Sequence, residues 1–475
     1  MLLRNVRHAG ATVDIRIEHG HIVAIGSLPG EGIDAGGRWV VPGLWDSHVH
    51  FNQWTLNNRR LDVAASESAR DAAAMIAAAV AAEPAATTPF IAVGFRDGLW
   101  PDVPTIADLD RASDRRPIVA VSADLHAVWL NTPALELYGH AGDATGVFRE
   151  DPAFEITRRI DEVDDHILDG WARSAAKAAA ARGVVGIIDY EMDWNLTRWQ
   201  RRIDAGATEL RVEFGVYTEH LDRAIAEGLR TGDRITDLLT VGGYKVLTDG
   251  SLNTRTAFCF DEYPDRDGHT HPHGMLTVPP EELLPHLRRA VAAGLAPCVH
   301  AIGDHANSLA LDAFEQLGVG GRIEHAQLLA DADLPRFAQL GVIASVQPEH
   351  AMDDRDVADH YWHGRTERSF PLRSLLDSGA TLAFGSDAPV APLDPWVTMA
   401  AAVGRARDGR EAWHPEQAVT FAEALAASSR TTVEVGQPAD LVLLDRDPET
   451  ATVDELRSMV VAATILGGRF THTTL

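Results

Sequence analysis

In the segment DSHVH, His48 and His50 stand two residues apart. On a strand that spacing puts both imidazoles on one face, where they can meet a single metal ion. The pair alone is a weak signal. The chain has 21 histidines, and His269, His271 and His273 repeat the spacing in a loop rich in Pro and Gly. What raises His48 and His50 is company: His300, His325 and Asp387 also close short apolar runs, each a different one.

Lys245 is the unusual member of this set, 55 residues before His300, with His325 a further 25 on and Asp387 a further 62. An ammonium has no lone pair, and a divalent cation repels it. A lysine that has added carbon dioxide is different: its carbamate is an anion with two oxygens, able to bridge two metals about 3.5–4 Å apart. Arginine cannot take that role. The 42 basic residues include only two lysines, Lys177 and Lys245, against 40 arginines. A lysine inside the apolar run GGYKVLTDG therefore suggests that its amine is required, the bland alternative being a buried ion pair.

These residues need strands to carry them, and eight runs qualify: VVPGLWDSHVH, GVVGIIDY, LRVEFGVY, GGYKVLTDG, APCVHAIGD, RIEHAQ, VIASVQPEH and TLAFGSD. They alternate with longer amphipathic segments, the βα pattern of a parallel sheet or barrel, and most end in polar or ionisable residues. In a (β/α)8 barrel that end is the catalytic face. About 130 residues after the first run fit no barrel unit and are read as an inserted subdomain, about 52–180, acting as a lid. Alternation over residues 11–25, broken at Glu18-His19-Gly20, predicts a hairpin. With the C-terminal runs ADLVLLDRDP and MVVAATILGGRF it predicts a small β-sandwich built from 1–42 and 430–475, around a barrel spanning 43–429.

Composition limits the function. The 475 residues are 45% hydrophobic, an ordinary globular balance. A formal charge of −27 argues against nucleic-acid or anionic-membrane partners and leaves a small-molecule substrate. Two cysteines, Cys259 and Cys298, are too few for a disulfide framework and fit the cytoplasm. No signal peptide or membrane span is read, and a homodimer is expected only from the frequency of symmetric oligomers.

The ordered motifs DSHVH, YKVLTDGSLNTRTA, HAIGD, RIEHAQ, SVQPEH and FGSDAPVAPLDPW resemble the amidohydrolase superfamily, and more narrowly amidohydrolase family 3, which includes N-substituted formamide deformylases. The resemblance runs from VVPGLWDSHVH to VGQPADLVLLDRDP and takes in DLHAVWLN of the insertion. It implies a TIM-like barrel and a binuclear centre, most naturally two Zn2+ per chain. His48 and His50 would hold one metal, N-carboxylated Lys245 would bridge, and His300 and His325 would hold the other. Asp387 would be both ligand and catalytic proton shuttle for a metal-bridging hydroxide.

His126, His350, Gln347 and Arg255 fall in the same motifs and are read as substrate contacts, with Asp249 and Asp304 less secure. Cys298 shares the His300 face but reads better as packing. Trp54, Trp100, Trp129 and Trp362 could wall a pocket or fill a core. The chain departs from the family at Asn253-Thr254, where Gly-Ser is common, and at His305, where Arg is common. The implied reaction is hydrolysis of a carbon–nitrogen bond in an amide, an N-substituted formamide or N-acyl compound. The alternatives are a deaminase, a cyclic-amide or ester hydrolase on the same scaffold, and a non-catalytic metal-binding barrel.

Overall fold

The computed structural model describes residues 1–83, 86–141, 143–264 and 271–475, so His269 lies outside the described residues. The eight runs form parallel strands β1 (Leu44–Val49), β2 (Val184–Asp189), β3 (Arg211–Tyr217), β4 (Leu239–Leu247), β5 (Pro297–Ala301), β6 (Gly321–His325), β7 (Val342–Val346) and β8 (Leu382–Phe384). Each pairs with its neighbours in chain order, and the sheet runs from β8 back to β1. Strands covered on both faces read as continuous apolar runs, which is why VVGIID and PCVHA are buried throughout. Val184, Phe214, Val241, Ile323 and Phe384 share one core with Leu287, Leu311 and Phe314 of the flanking helices.

The sheet closes just past the ends of β1 and β8. Val49 bridges to Ala388 in parallel, the amide of His50 donates to the Ala388 carbonyl at 2.8 Å, and the amide of Asp387 donates to the His48 carbonyl at 2.8 Å. The amide of Ser386 donates to Asp46 Oδ1 at 2.9 Å. Strand β8 can come this close because residue 385 is glycine. A Cβ there would lie 2.6 Å from the His48 nitrogen and 2.8 Å from the His48 Cβ.

Both chain ends share one mixed eight-stranded sheet, in which Leu2–His8, Ala11–Glu18 and His21–Gly26 continue from Trp39–Pro42 and the C-terminal strands Leu441–Leu444, Val461–Leu466 and Arg469–Thr473. The expected hairpin is the Ala11–Glu18 and His21–Gly26 pair. Leu3, Val6, Ile15, Ile22, Leu441 and Ile465 form the sheet's own core.

Between β1 and β2 the chain builds a five-stranded sheet from Leu61–Asp62 to Val147–Arg149. One face packs Ile76, Phe95 and Trp129, the other Val119, Val128 and Ile156. The helix Asp165–Ala180, which follows, puts Ala172, Ala176 and Ala179 into the barrel core. Among the described residues no helix is long and apolar enough to cross a membrane.

The seam predicts that Gly385→Ala, by forcing β8 away from His48, destabilises the fold by about 1–3 kcal/mol and lowers metal retention. Chemical denaturation and elemental analysis of the same preparation would show both losses. An unaltered variant would mean that the seam tolerates a side chain.

Candidate metal centre

The strand ends gather the residues singled out above, and departures from regular strand geometry complete the gathering. Alternation would send Glu324 and His325, neighbours on β6, to opposite faces. A backbone φ of 77° at His325 breaks that alternation, and Asp387 is likewise left-handed at φ 58°. Non-glycine residues hold such conformations only when their surroundings enforce them.

Asp387 is the hub. Its Oδ1 lies 3.4 Å from His48 Nε2 and 3.3 Å from His50 Nε2, while Oδ2 lies 3.8 Å from His350 Nε2. Two groups of donor atoms are close enough to share an ion: His48, His50 and Asp387, and His325, His350 and Asp387. His300 stands beside them, its ring 4.4 Å from that of His325. Lys245, 1% exposed, ends in an ammonium 4.4 Å from the centre of the Tyr190 ring.

A second layer orients the imidazoles. The buried Glu324 carboxylate meets His48 Nδ1 at 2.8 Å and is itself held by Arg322 Nε at 2.8 Å and the Tyr190 hydroxyl at 3.0 Å. Gln347 Oε1 meets His325 Nδ1 at 2.9 Å. Each contact turns the opposite nitrogen of its ring toward the centre.

The electrostatics suit cations. Burial, reinforced by the nearby Lys245 charge, pulls His48 down to about 4, and burial with His300 alongside takes His325 well below its usual range. Both rings are therefore neutral and keep a lone pair. Burial opposes ionisation of Asp387, but His48, His50 and His325 together hold it well below the carboxylate range. Burial also lowers Lys245, favouring the free amine, the form whose lone pair attacks carbon dioxide. Lys245 Nζ, His300 Nε2 and His350 Nε2 are buried with no hydrogen-bond partner. Such atoms cost about 1–3 kcal/mol each, and a group accepting nitrogen and oxygen donors at this point removes that cost. The donor set fits divalent cations.

The remaining expected residues are spread differently. His126 and His350 line the chamber with His48, His50, Lys245, His300, His325 and Asp387. His126 Nδ1 meets Glu150 Oε2 at 2.8 Å. Gln347 and Arg255 do not line it: Gln347 stands behind His325, and Arg255 lies over the Tyr361 ring at 5.3 Å. Asp249 accepts the amides of Ile302, Gly303 and Phe258, and its Oδ1 also lies 3.4 Å from His300 Nε2, whereas Asp304 accepts the amide of Phe260 and ties loops together. Cys298 packs with Ile188 and Tyr190. Trp129 and Trp362 are fully buried in cores.

Glu324 and Tyr190 carry the second layer and were not singled out from the sequence. The available signal was Arg322-x-Glu324, two charges sharing one face inside a buried strand, which demands a polar partner across the barrel.

A family model described as "Amidohydrolase family" matches residues 31–472. The chain is 28% identical to Protein LONG AFTER FAR-RED 3 of Arabidopsis thaliana over 95% of its own length and 87% of that protein. It is 26% identical to N-substituted formamide deformylase of Arthrobacter pascens over 77% of this chain and 75% of that one. Among solved structures, an uncharacterized metal-dependent hydrolase from Pyrococcus horikoshii superposes with a TM-score of 0.78 at 25% identity, covering 95% of this chain and 99% of that one.

Replacing the charge that orients His48 gives a direct test. Glu324→Gln is expected to weaken metal affinity about 10–100-fold, read by competition against a chelator of known affinity. Unchanged affinity would show that His48 needs no carboxylate behind it.

Proposed function

The chain belongs to the amidohydrolase family, and from that premise we propose that it hydrolyses the carbon–nitrogen bond of a small amide, an N-substituted formamide or N-acyl amine. Two divalent cations, zinc in the first instance, would be held by His48, His50, His300, His325, Asp387 and N-carboxylated Lys245. The observation that carries this reading is the convergence of His48, His50, His300 and His325, an ionised Asp387 and a buried Lys245 without a hydrogen-bond partner at the mouth of the barrel. The deformylase among the relatives supports the choice of amide.

When bound, the cations would polarise the substrate carbonyl and bring the pKa of water toward 7. The chain's own residues set up the rest. Lys245 Nζ, as the free amine, forms a bond to the carbon of carbon dioxide and releases a proton to solvent, replacing a repelling cation by an anion. Glu324 and Gln347 fix the tautomers of His48 and His325, so each offers Nε2 as a lone pair. Asp387 Oδ2, which faces His350, is placed to take a proton from the attacking water. It then hands that proton to the amide nitrogen as the carbon–nitrogen bond breaks. His126 and His350 flank the carbonyl and orient it.

Elemental analysis of protein purified without chelators tests the proposal. Nearly two metal ions per chain are expected, with a large loss in Lys245→Ala. Asp387→Asn should keep most of its metal yet lose about 10²–10⁴-fold in amide hydrolysis. One ion or none, indifferent to the lysine, would favour a deaminase-type or non-catalytic barrel. Full activity in Asp387→Asn would remove the proton shuttle.

A further inference from the structure

The chamber at the strand ends has a volume of about 70 Å³. Two larger cavities adjoin it, and they differ in charge. One, of about 700 Å³, shares Arg96, Asp353 and Val390 with the chamber. Each of its four arginines is already paired: Arg407 meets Glu349 at 2.9 Å, Arg457 meets Glu349 at 2.8 Å, Arg182 meets Asp394 at 2.7 Å, and Arg96 meets Asp353 at 3.3 Å.

The other, of about 640 Å³, opens through Leu125, Phe154 and Met192, which line both spaces and form an apolar neck. Beyond the neck the walls carry six carboxylates against two guanidiniums. Asp161 is answered by Arg60 at 2.5 Å, and Asp193 by Arg198. Among the described residues Glu162, Glu191 and Glu219 meet no arginine or lysine, and Glu219 lies 3.5 Å from His220 Nε2 on the same wall. Gln53, 8% exposed on the same wall, has a carbonyl oxygen Oε1 that meets no donor. Glu191 accepts the amides of Asn52 and Gln53 through Oε2 at 2.9 and 3.0 Å, fixing this wall beside His50.

We propose that this cavity takes the N-substituent of the substrate, an alkyl chain ending in a protonated amine: the methylenes pass the apolar neck and the ammonium meets Gln53, Glu162 and Glu219. The inference rests on the amide-hydrolase reading and names its substrate class: a small acyl group on one nitrogen of a diamine. A chamber much smaller than the cavity beside it, and a cavity wall with three times as many carboxylates as guanidiniums, both favour it. The excess of carboxylates also draws a cationic substrate inward, an effect that salt weakens.

Binding and turnover separate the two readings. By calorimetry on the metal-loaded protein, 1,4-diaminobutane is expected to bind at least about tenfold more tightly than pentylamine, with the difference shrinking as salt is added. Equal binding overturns the inference. In turnover, N-formyl-1,4-diaminobutane should exceed N-pentylformamide in kcat/KM by a similar factor, with 5-formamidopentanoate poorest. In Glu162→Gln/Glu219→Gln the ratio of the first two should fall at least fivefold. Hydrolysis of all three at equal rates overturns the inference and leaves the amide reading standing. Diamine-selective binding without hydrolysis of any formamide sustains the cavity's preference and removes the amide reading instead.

Discussion

Placing ionisable groups where the barrel closes is costly, and much of the molecule is arranged around that cost. Asp387 crosses the seam between the last and first strands to meet His48 and His50, and the backbone bonds of that seam run through the same residues. The closure that makes a barrel of the sheet is also what assembles the centre, so fold and site cannot be separated there. Gly385 is the point at which the two requirements meet, since a side chain would strike His48.

Beneath the centre the barrel interior is polar where a TIM barrel is ordinarily filled by branched apolar residues. Arg322, Glu324 and Tyr190 form a closed hydrogen-bonded set below His48, with Cys298 packed against Tyr190. A partly satisfied buried network is unstable, whereas a complete one holds its members rigidly. The completeness of the lower set contrasts with the orphaned nitrogens of Lys245, His300 and His350 immediately above. That contrast marks the boundary between scaffold and site.

The insertion decides what can reach the centre. It is a separately packed sheet with a core on each face, and it contributes His126, Leu125 and Phe154 to the chamber wall. A small chamber flanked by two larger spaces lets a single barrel chemistry be matched to a particular substrate through the walls of those spaces, without altering the ligand set.

The eight barrel strands were legible in the sequence because each is largely buried on both faces and most of the runs end in a polar residue. That local pattern survives without knowledge of the partners. The pairing of His48 with His50 followed from the period of two, and the oddity of Lys245 from a composition almost devoid of lysine. Geometry of the whole fold decided the rest. It put His350 in a ligand group with His325 and Asp387, and left His300 just outside both groups. It set Gln347 behind a histidine instead of against a substrate, and turned Arg255 toward Tyr361. These outcomes depend on positive φ angles at His325 and Asp387 and on contacts between strands far apart in the chain. Local periodicity carries no information about either: it reports which face a regular strand presents, and the ends of these strands are where regularity stops.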